Sequence, residues 1–169
     1  VYFQMNDQPN IQESDPLPDP INVYAKTKRE AERIVQGSGV PHVILRPRAL
    51  IGRGDTVILP RLIRAHAEGR LRRMGSQKNR VDLTPVSNVV DAILLGLNAK
   101  PEALNQIYNI SNGHPELLWP LLDDVFDKLG LAPVDKDISM SVAKGIARLL
   151  EWHAKWFNGH KEPALTVYG

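Results

Sequence analysis

The run Ile21-Asn22-Val23-Tyr24-Ala25-Lys26-Thr27-Lys28-Arg29-Glu30-Ala31-Glu32-Arg33 is the stretch on which the reading of this chain turns. On a helix, Tyr24 and Lys28 lie four residues apart and share one face, one turn from each other. An isolated tyrosine ionises near pH 10, and a close cation favours its phenolate. A phenol beside an ammonium is therefore a way to make tyrosine usable as an acid or base. The same pentapeptide also suits a surface tyrosine preceding an ordinary charged helix. Its flanks have to decide between the two.

Residues from Asn6 to Asp19 are rich in Asn, Asp, Gln, Ser and Pro, which predicts a loop. Asp19 offers an N-cap oxygen and Pro20 suits a first helical position, so the helix is expected from Pro20 to Gln36. Ile21, Tyr24, the stem of Lys28, Ala31 and Val35 form its apolar stripe. Gly37-Ser38-Gly39 ends it. His42-Val43-Ile44-Leu45-Arg46 is a nearly continuous apolar run, the pattern of a strand buried on both faces. Pro47 ends regular pairing.

Gly52-Arg53-Gly54-Asp55 reads as a turn, and Val57 to Glu68 as a helix with Ile58, Leu62, Ile63 and His66 near one face. Leu83 to Val86 reads as a short strand. Ser87 or Asn88 caps an apolar helix through Leu97. Gln106 to Ile110 is a second buried-type strand, Ser111 to His114 a turn, and Leu117 to Leu129 an amphipathic helix. Ser141 to Phe157 reads as a further helix, whose apolar positions suit a core more than a membrane surface or partner. Helices alternating with sparsely charged strands point to an α/β fold with a parallel sheet.

With 169 residues, 43% hydrophobic and 24% charged, the composition is that of an ordinary soluble domain with a real core. No apolar run approaches the roughly 20 residues of a membrane span. No signal peptide is evident. The absence of cysteine excludes disulfides, thiolate metal sites and a cysteine nucleophile, and it fits a reducing compartment. A formal charge of +2 gives no bias toward nucleic acid or acidic membranes. The five histidines lack metal-ligand spacing, and no Gly-x-Ser-x-Gly elbow is present. The basic stretch Arg61, Arg64, Arg70, Arg72, Arg73, Lys78 and Arg80 lacks aromatic platforms, so it reads as a solvated face, with a small-anion site as the alternative. A Gly-x-Gly-x-x-Gly fingerprint is missing, because His42 and Val57 stand at the third position after the two glycine pairs.

Four segments together resemble the extended short-chain dehydrogenases, the NAD-dependent epimerase/dehydratases. They are Tyr24-Ala25-Lys26-Thr27-Lys28 with Glu30-Ala31-Glu32; Leu45-Arg46-Pro47-Arg48-Ala49-Leu50-Ile51-Gly52-Arg53-Gly54-Asp55; Asp82-Leu83-Thr84-Pro85-Val86-Ser87-Asn88-Val89-Val90-Asp91-Ala92; and Tyr108-Asn109-Ile110-Ser111-Asn112-Gly113. Tyr-Ala-Lys-Thr-Lys, Asn-Ile-Ser-Asn-Gly and Glu162-Pro163-Ala164-Leu165-Thr166 are most similar to the 3β-hydroxysteroid dehydrogenase-like branch. Val1-Tyr2-Phe3-Gln4-Met5 reads either as a tag remnant or as a strand end, and its distance from Tyr24 matches the strand end of that family. On that reading the Gly-rich nucleotide-binding half and a catalytic Ser or Thr lie upstream, and the chain is the C-terminal half of an enzyme, inactive by itself.

The resemblance implies part of a Rossmann-like parallel sheet with flanking helices, plus a smaller substrate-binding region. Residues 1–113 would hold the C-terminal part of the Rossmann-like domain with interleaved substrate-region segments, and 114–169 a mainly helical substrate-binding region. It implies NAD or NADP as cofactor and hydride transfer to or from a secondary alcohol or ketone. Tyr24 would move the proton at the carbinol or carbonyl oxygen. Lys28 would favour the phenolate and hydrogen-bond the nicotinamide ribose. Pro47 and Ala49 would pass the nicotinamide end. Sugar-nucleotide members carry an arginine just before the aspartate matching Asp82, whereas here Val81 stands there and Arg80 one residue earlier. In an extended segment one step reverses the side-chain direction. That counts against a sugar nucleotide, with Arg80 the substrate-anion candidate if the local backbone differs. A small-molecule substrate and a cytoplasmic setting are implied, without nucleic acid, metal or membrane span. A non-catalytic binding relative remains the alternative, and homodimerisation through the tyrosine helix, usual in the family, is left open by the stripe.

Overall fold

The computed structural model describes residues 10–20, 22–74, 78–139 and 141–142. Its elements in chain order are α1 (Val23–Gln36), β1 (Val43–Pro47), β2 (Leu50–Ile51), α2 (Ile58–Ala67), β3 (Arg73–Met74), β4 (Arg80–Val81), β5 (Thr84–Pro85), α3 (Val86–Leu97), β6 (Gln106–Ile110), β7 (Glu116–Leu117), α4 (Leu118–Lys128) and β8 (Asp137–Ile138). They fall into two units. One joins Val1–Gly54 with Asp82–Pro115, and the other joins Asp55–Val81 with Glu116–Gly169. The reading of Val1-Tyr2-Phe3-Gln4-Met5 and most of the helix expected from Ser141 to Phe157 lie outside the described residues.

The first unit is built on β1 and β6, parallel and in register from Val43 opposite Gln106 to Pro47 opposite Ile110. Paired residues project to the same side and alternate along the strand. Ile44 and Arg46 therefore share a face with Ile107 and Asn109, while Val43 and Leu45 share the other with Tyr108. The first face receives α1, through Arg46 and Glu32. The opposite face receives α3, whose Gly96 backbone comes so near Val43 that an added Cβ would lie 3.7 Å from it. Helices on both sides of parallel strands is the α/β architecture expected from the alternation. The chain then continues from β1 into β2, which pairs in parallel with β5.

Thr84 on β5 is fully buried, its amide donating to the Ala49 carbonyl and its hydroxyl to the Ile110 carbonyl. It thus ties the two short sheets of this unit together. Asp82 closes the far end, accepting from the amides of Asn112 at 2.9 Å and Gly113 at 3.0 Å. At the outer edge of β6, the Asn109 amide donates to the Glu13 carboxylate at 2.7 Å and its side-chain amide to the Ile11 carbonyl.

The second unit packs α2 and α4 around Trp119, Leu122, Phe126 and Val134, flanked by Leu62, Leu71, Leu118 and Leu131. The His66 ring lies 4.6 Å from that of Phe126, and its Nε2 meets the Ala132 carbonyl. Two pairs of two-residue strands, β3 with β8 in parallel and β4 with β7 antiparallel, frame this cluster. Arg73 reaches across it to Asp123 and to the carbonyl of Val134. Part of the basic stretch is thereby engaged internally rather than solvated.

Three local expectations need correction. First, α1 begins at Val23, not Pro20, because Asn22 rather than Asp19 is its cap: the Asn22 side chain accepts from the Ala25 amide at 2.8 Å. Second, α3 begins at Val86, directly after Pro85, without a side-chain cap from Ser87 or Asn88. The Asn88 side chain instead reaches the Ser111 carbonyl and Asn112. Third, α1 turns a different face inward. Ala25 is its one buried residue, whereas Tyr24 and Val35 of the expected stripe are exposed.

Candidate active site

Helix α1 carries Tyr24 and Lys28 on its outward side. Asn22 starts the helix immediately before them, so the pair lies within the first two turns. The Lys28 ammonium stands over the Tyr24 ring, 5.5 Å from its centroid, and within cation–π range. Tyr24 is 60% exposed, so its phenol is open to a reactant. Thr27 donates its hydroxyl to the Tyr24 carbonyl, which anchors that turn of backbone. The two residues that the i, i+4 spacing put together are together.

Glu32 meets the sheet from the side of the helix that also carries the buried Ala25, seven residues before it. Glu32 accepts from Nε of Arg46 at 3.0 Å and from its Nη2 at 2.6 Å. Both side chains are largely buried, at 15% and 12% exposure. This ion pair is not predicted from the sequence. The available signal was the heptad spacing of Glu32 from Ala25 together with a charge inside an otherwise apolar strand. On the exposed side of the same helix, Arg33 pairs with Glu30 in the ordinary i, i+3 manner.

Pro47 is the last residue of β1 and half-buried. Ala49, two residues on, has a positive φ of 41°, unusual for a residue with a Cβ. Its carbonyl accepts from Thr84, so the neighbouring strand holds the bend. Arg80 belongs to the second unit, exposed on β4 opposite Leu117, while the adjacent Val81 is half-buried opposite Glu116. The one-step reversal of side-chain direction expected there fits this alternation.

A groove of about 530 Å³ in the first unit is lined by Lys26, Arg29, Glu32 and Arg46, among others, and not by Tyr24. It lies along the charged flank of α1, away from the phenol. Among the described residues no cluster of His, Asp or Glu could hold a metal ion, and no helix is long and apolar enough to cross a membrane.

Parallel strands covered by helices on both sides, with a tyrosine and a lysine one turn apart on one of those helices, make an α/β unit. Residues 1–111 match the NAD dependent epimerase/dehydratase family, and the chain belongs to it. It is 36% identical over 153 residues to a 2-alkyl-3-oxoalkanoate reductase of Stenotrophomonas maltophilia, a match that covers 86% of this chain and 46% of the relative. It is 31% identical over 172 residues to 3beta-hydroxysteroid-dehydrogenase/decarboxylase isoform 1 of Arabidopsis thaliana, covering 93% and 39% respectively. In fold it is similar to DesIV, a dTDP-glucose 4,6-dehydratase of Streptomyces venezuelae solved with NAD. That likeness has a TM-score of 0.63 at 20% identity and covers 79% of this chain and 43% of that one. The chain spans about half the length of the curated relatives it matches.

Proposed function

We propose that this chain supplies the acid/base half of an NAD(P)-dependent oxidoreductase active site acting on a secondary alcohol or ketone. The observation that carries the reading is the Lys28 ammonium over the exposed Tyr24 ring, on a helix packed against the parallel strands of a family member. Tyr24 gives or takes the proton at the substrate oxygen. Lys28, a compact cation with three donors, holds the phenolate side of that exchange and a ribose hydroxyl. Pro47 and Ala49 line the nicotinamide end, where the Ala49 bend turns the backbone. When bound, the nicotinamide supplies or accepts the hydride.

The residues fit the nicotinamide end of such a cofactor and not its pyrophosphate, since the chain has no Gly-x-Gly-x-x-Gly turn. On this reading the first unit completes a larger parallel sheet, and the second unit, with Arg80, belongs to the substrate side. Two features support an incomplete sheet. Among the described residues β1 pairs with β6 and with no other strand. Helix α3 also exposes Val86, Val90, Ile93, Leu94 and Leu97 along one side. A two-stranded sheet is marginal by itself, and parallel sheets are ordinarily buried on both faces. Val81 in the arginine position favours an apolar ketone or alcohol over a sugar nucleotide.

The test is turnover of the polypeptide as its gene encodes it, with NADH or NADPH and a panel of 3-oxoalkanoates, 3β-hydroxysteroids and UDP-sugars. Tyr24→Phe should lower kcat by about a hundredfold to ten-thousandfold with the fold intact. Retained activity in that variant removes Tyr24 from the chemistry. Absence of turnover and of NAD(P) binding in the wild type favours a non-catalytic relative. The 169-residue chain alone should show no dinucleotide affinity by calorimetry. Micromolar binding overturns the half-site reading.

A further inference from the structure

We infer that the Glu32–Arg46 ion pair is the positioning device of the Tyr24–Lys28 couple, an inference that rests on the proposed function above. Helix α1 buries one residue, Ala25, and this is the smallest side chain that can make an apolar contact. A single methyl near the helix start fixes a point of approach but not a rotation. The second hold is Glu32, about 10 Å further along the axis. Its carboxylate takes a two-pronged grip from Nε and Nη2 of Arg46, at 3.0 and 2.6 Å. A planar guanidinium fork on a carboxylate fixes direction as well as distance.

Tyr24 and Lys28 lie about 60–100° round the helix from the Ala25–Glu32 line. They are thus carried at a set angle above the sheet. A phenol oxygen projects roughly 9 Å from the helix axis, so a rotation of about 10° would carry it about 1.5 Å. Displacement of that size is enough to cost a hundredfold in rate. Arg46 also precedes Pro47 directly and Ala49 by three residues, so one side chain ties the acid/base helix to the strand end assigned to the nicotinamide. The exposed Glu30–Arg33 pair on the same helix has no such reach and serves as an internal comparison.

The groups facing this pair are named by the groove beside it: Lys26, Arg29, Glu30 and Arg33 from α1, with Ile107 from β6. Glu30, the other carboxylate there, is held by Arg33.

The experiment compares Glu32→Gln, Arg46→Met, the exchange Glu32→Arg with Arg46→Glu, and the control Arg33→Gln. The first readout needs no activity: the Tyr24 ring resonances and the exchange rates of the α1 amides by NMR in the polypeptide as its gene encodes it. Glu32→Gln and Arg46→Met should shift the Tyr24 signals and speed α1 exchange at least tenfold while β1 and β6 stay protected. The exchanged pair should recover most of both, and Arg33→Gln should change neither. In the encoded polypeptide Glu32→Gln and Arg46→Met should lose at least tenfold in kcat, and the exchanged pair should recover most of it. Tyr24 signals and α1 exchange unchanged in Glu32→Gln and Arg46→Met overturn the inference. A wild type without turnover, by contrast, removes the enzymatic reading and leaves the NMR comparison to decide the positioning. Loss of protection throughout β1 and β6 in both single variants would also overturn it, since the pair would then hold the unit as a whole rather than set the helix.

Discussion

Gly52 stands against Val86, so close that a methyl group on Gly52 would lie 3.1 Å from Cγ2 and 3.3 Å from Cβ of that valine. The turn after β2 and the start of α3 meet there through the Val86 side chain. Gly52→Ala should therefore destabilise the protein by about 1–3 kcal/mol, since the added carbon crowds Val86 and Gly52 has a φ of 157° that residues with a Cβ rarely adopt. Val86→Ala removes the nearer carbon and keeps the farther one. In that background the cost of Gly52→Ala should fall by about half in denaturant unfolding.

Asp82 supplies both carboxylate oxygens to successive amides, those of Asn112 and Gly113. Asp82→Ala leaves two donors without their acceptor and should cost about 1–3 kcal/mol. Asp82→Asn keeps one acceptor and should cost less. Hydrogen exchange at Asn112 and Gly113 should rise in the alanine variant before any other amide of the first unit.

Asp55 accepts from the amides of Val57, Ile58 and Leu59 at the start of α2. These bonds, with Leu59 the strongest influence, hold its carboxyl below the usual carboxylate range. A depressed folded value means that the stabilisation is present above the ordinary aspartate pKa near about 4 and is lost as the pH falls through the lowered one. Exchange of the three amides should accordingly quicken on acidification below about pH 4 relative to their intrinsic rates. In Asp55→Asn that acid-dependent change should vanish.

Phe126 is fully buried at the centre of the second unit, between the His66 ring and Trp119, Leu122 and Val134. Phe126→Ala should cost about 3–5 kcal/mol, and Phe126→Leu markedly less, by the difference in the cavity each leaves. Chemical denaturation followed by tryptophan fluorescence, to which Trp119 contributes, would read both.

Long elements announced themselves in the sequence. The apolar runs of β1 and β6 and the repeating patterns of α2 and α4 depend on residues in direct succession, and the i, i+4 relation of Tyr24 to Lys28 does too. What escaped is held by partners far apart in sequence. Apolar content points to Tyr24, Ala31 and Val35 as the inner face of α1, while burial follows Ala25 and a charged residue paired with Arg46. The start of α1 was displaced because Asp19 and Asn22 are both good caps, and only the backbone geometry chooses between them. Strands such as β3, β4, β7 and β8 are two residues long, too short for any alternation to register. Asp55 belongs by its neighbours to a turn, yet its three acceptances from amides begin α2.

Glu13 occupies the outer amide of Asn109 with a side-chain carboxylate rather than with another strand. A strand approaching β6 from outside would have to displace a negative charge before it gained a backbone bond. Edge-to-edge fibre growth through β6 is thereby opposed at its first step, and any enlargement of this sheet is directed to the β1 side.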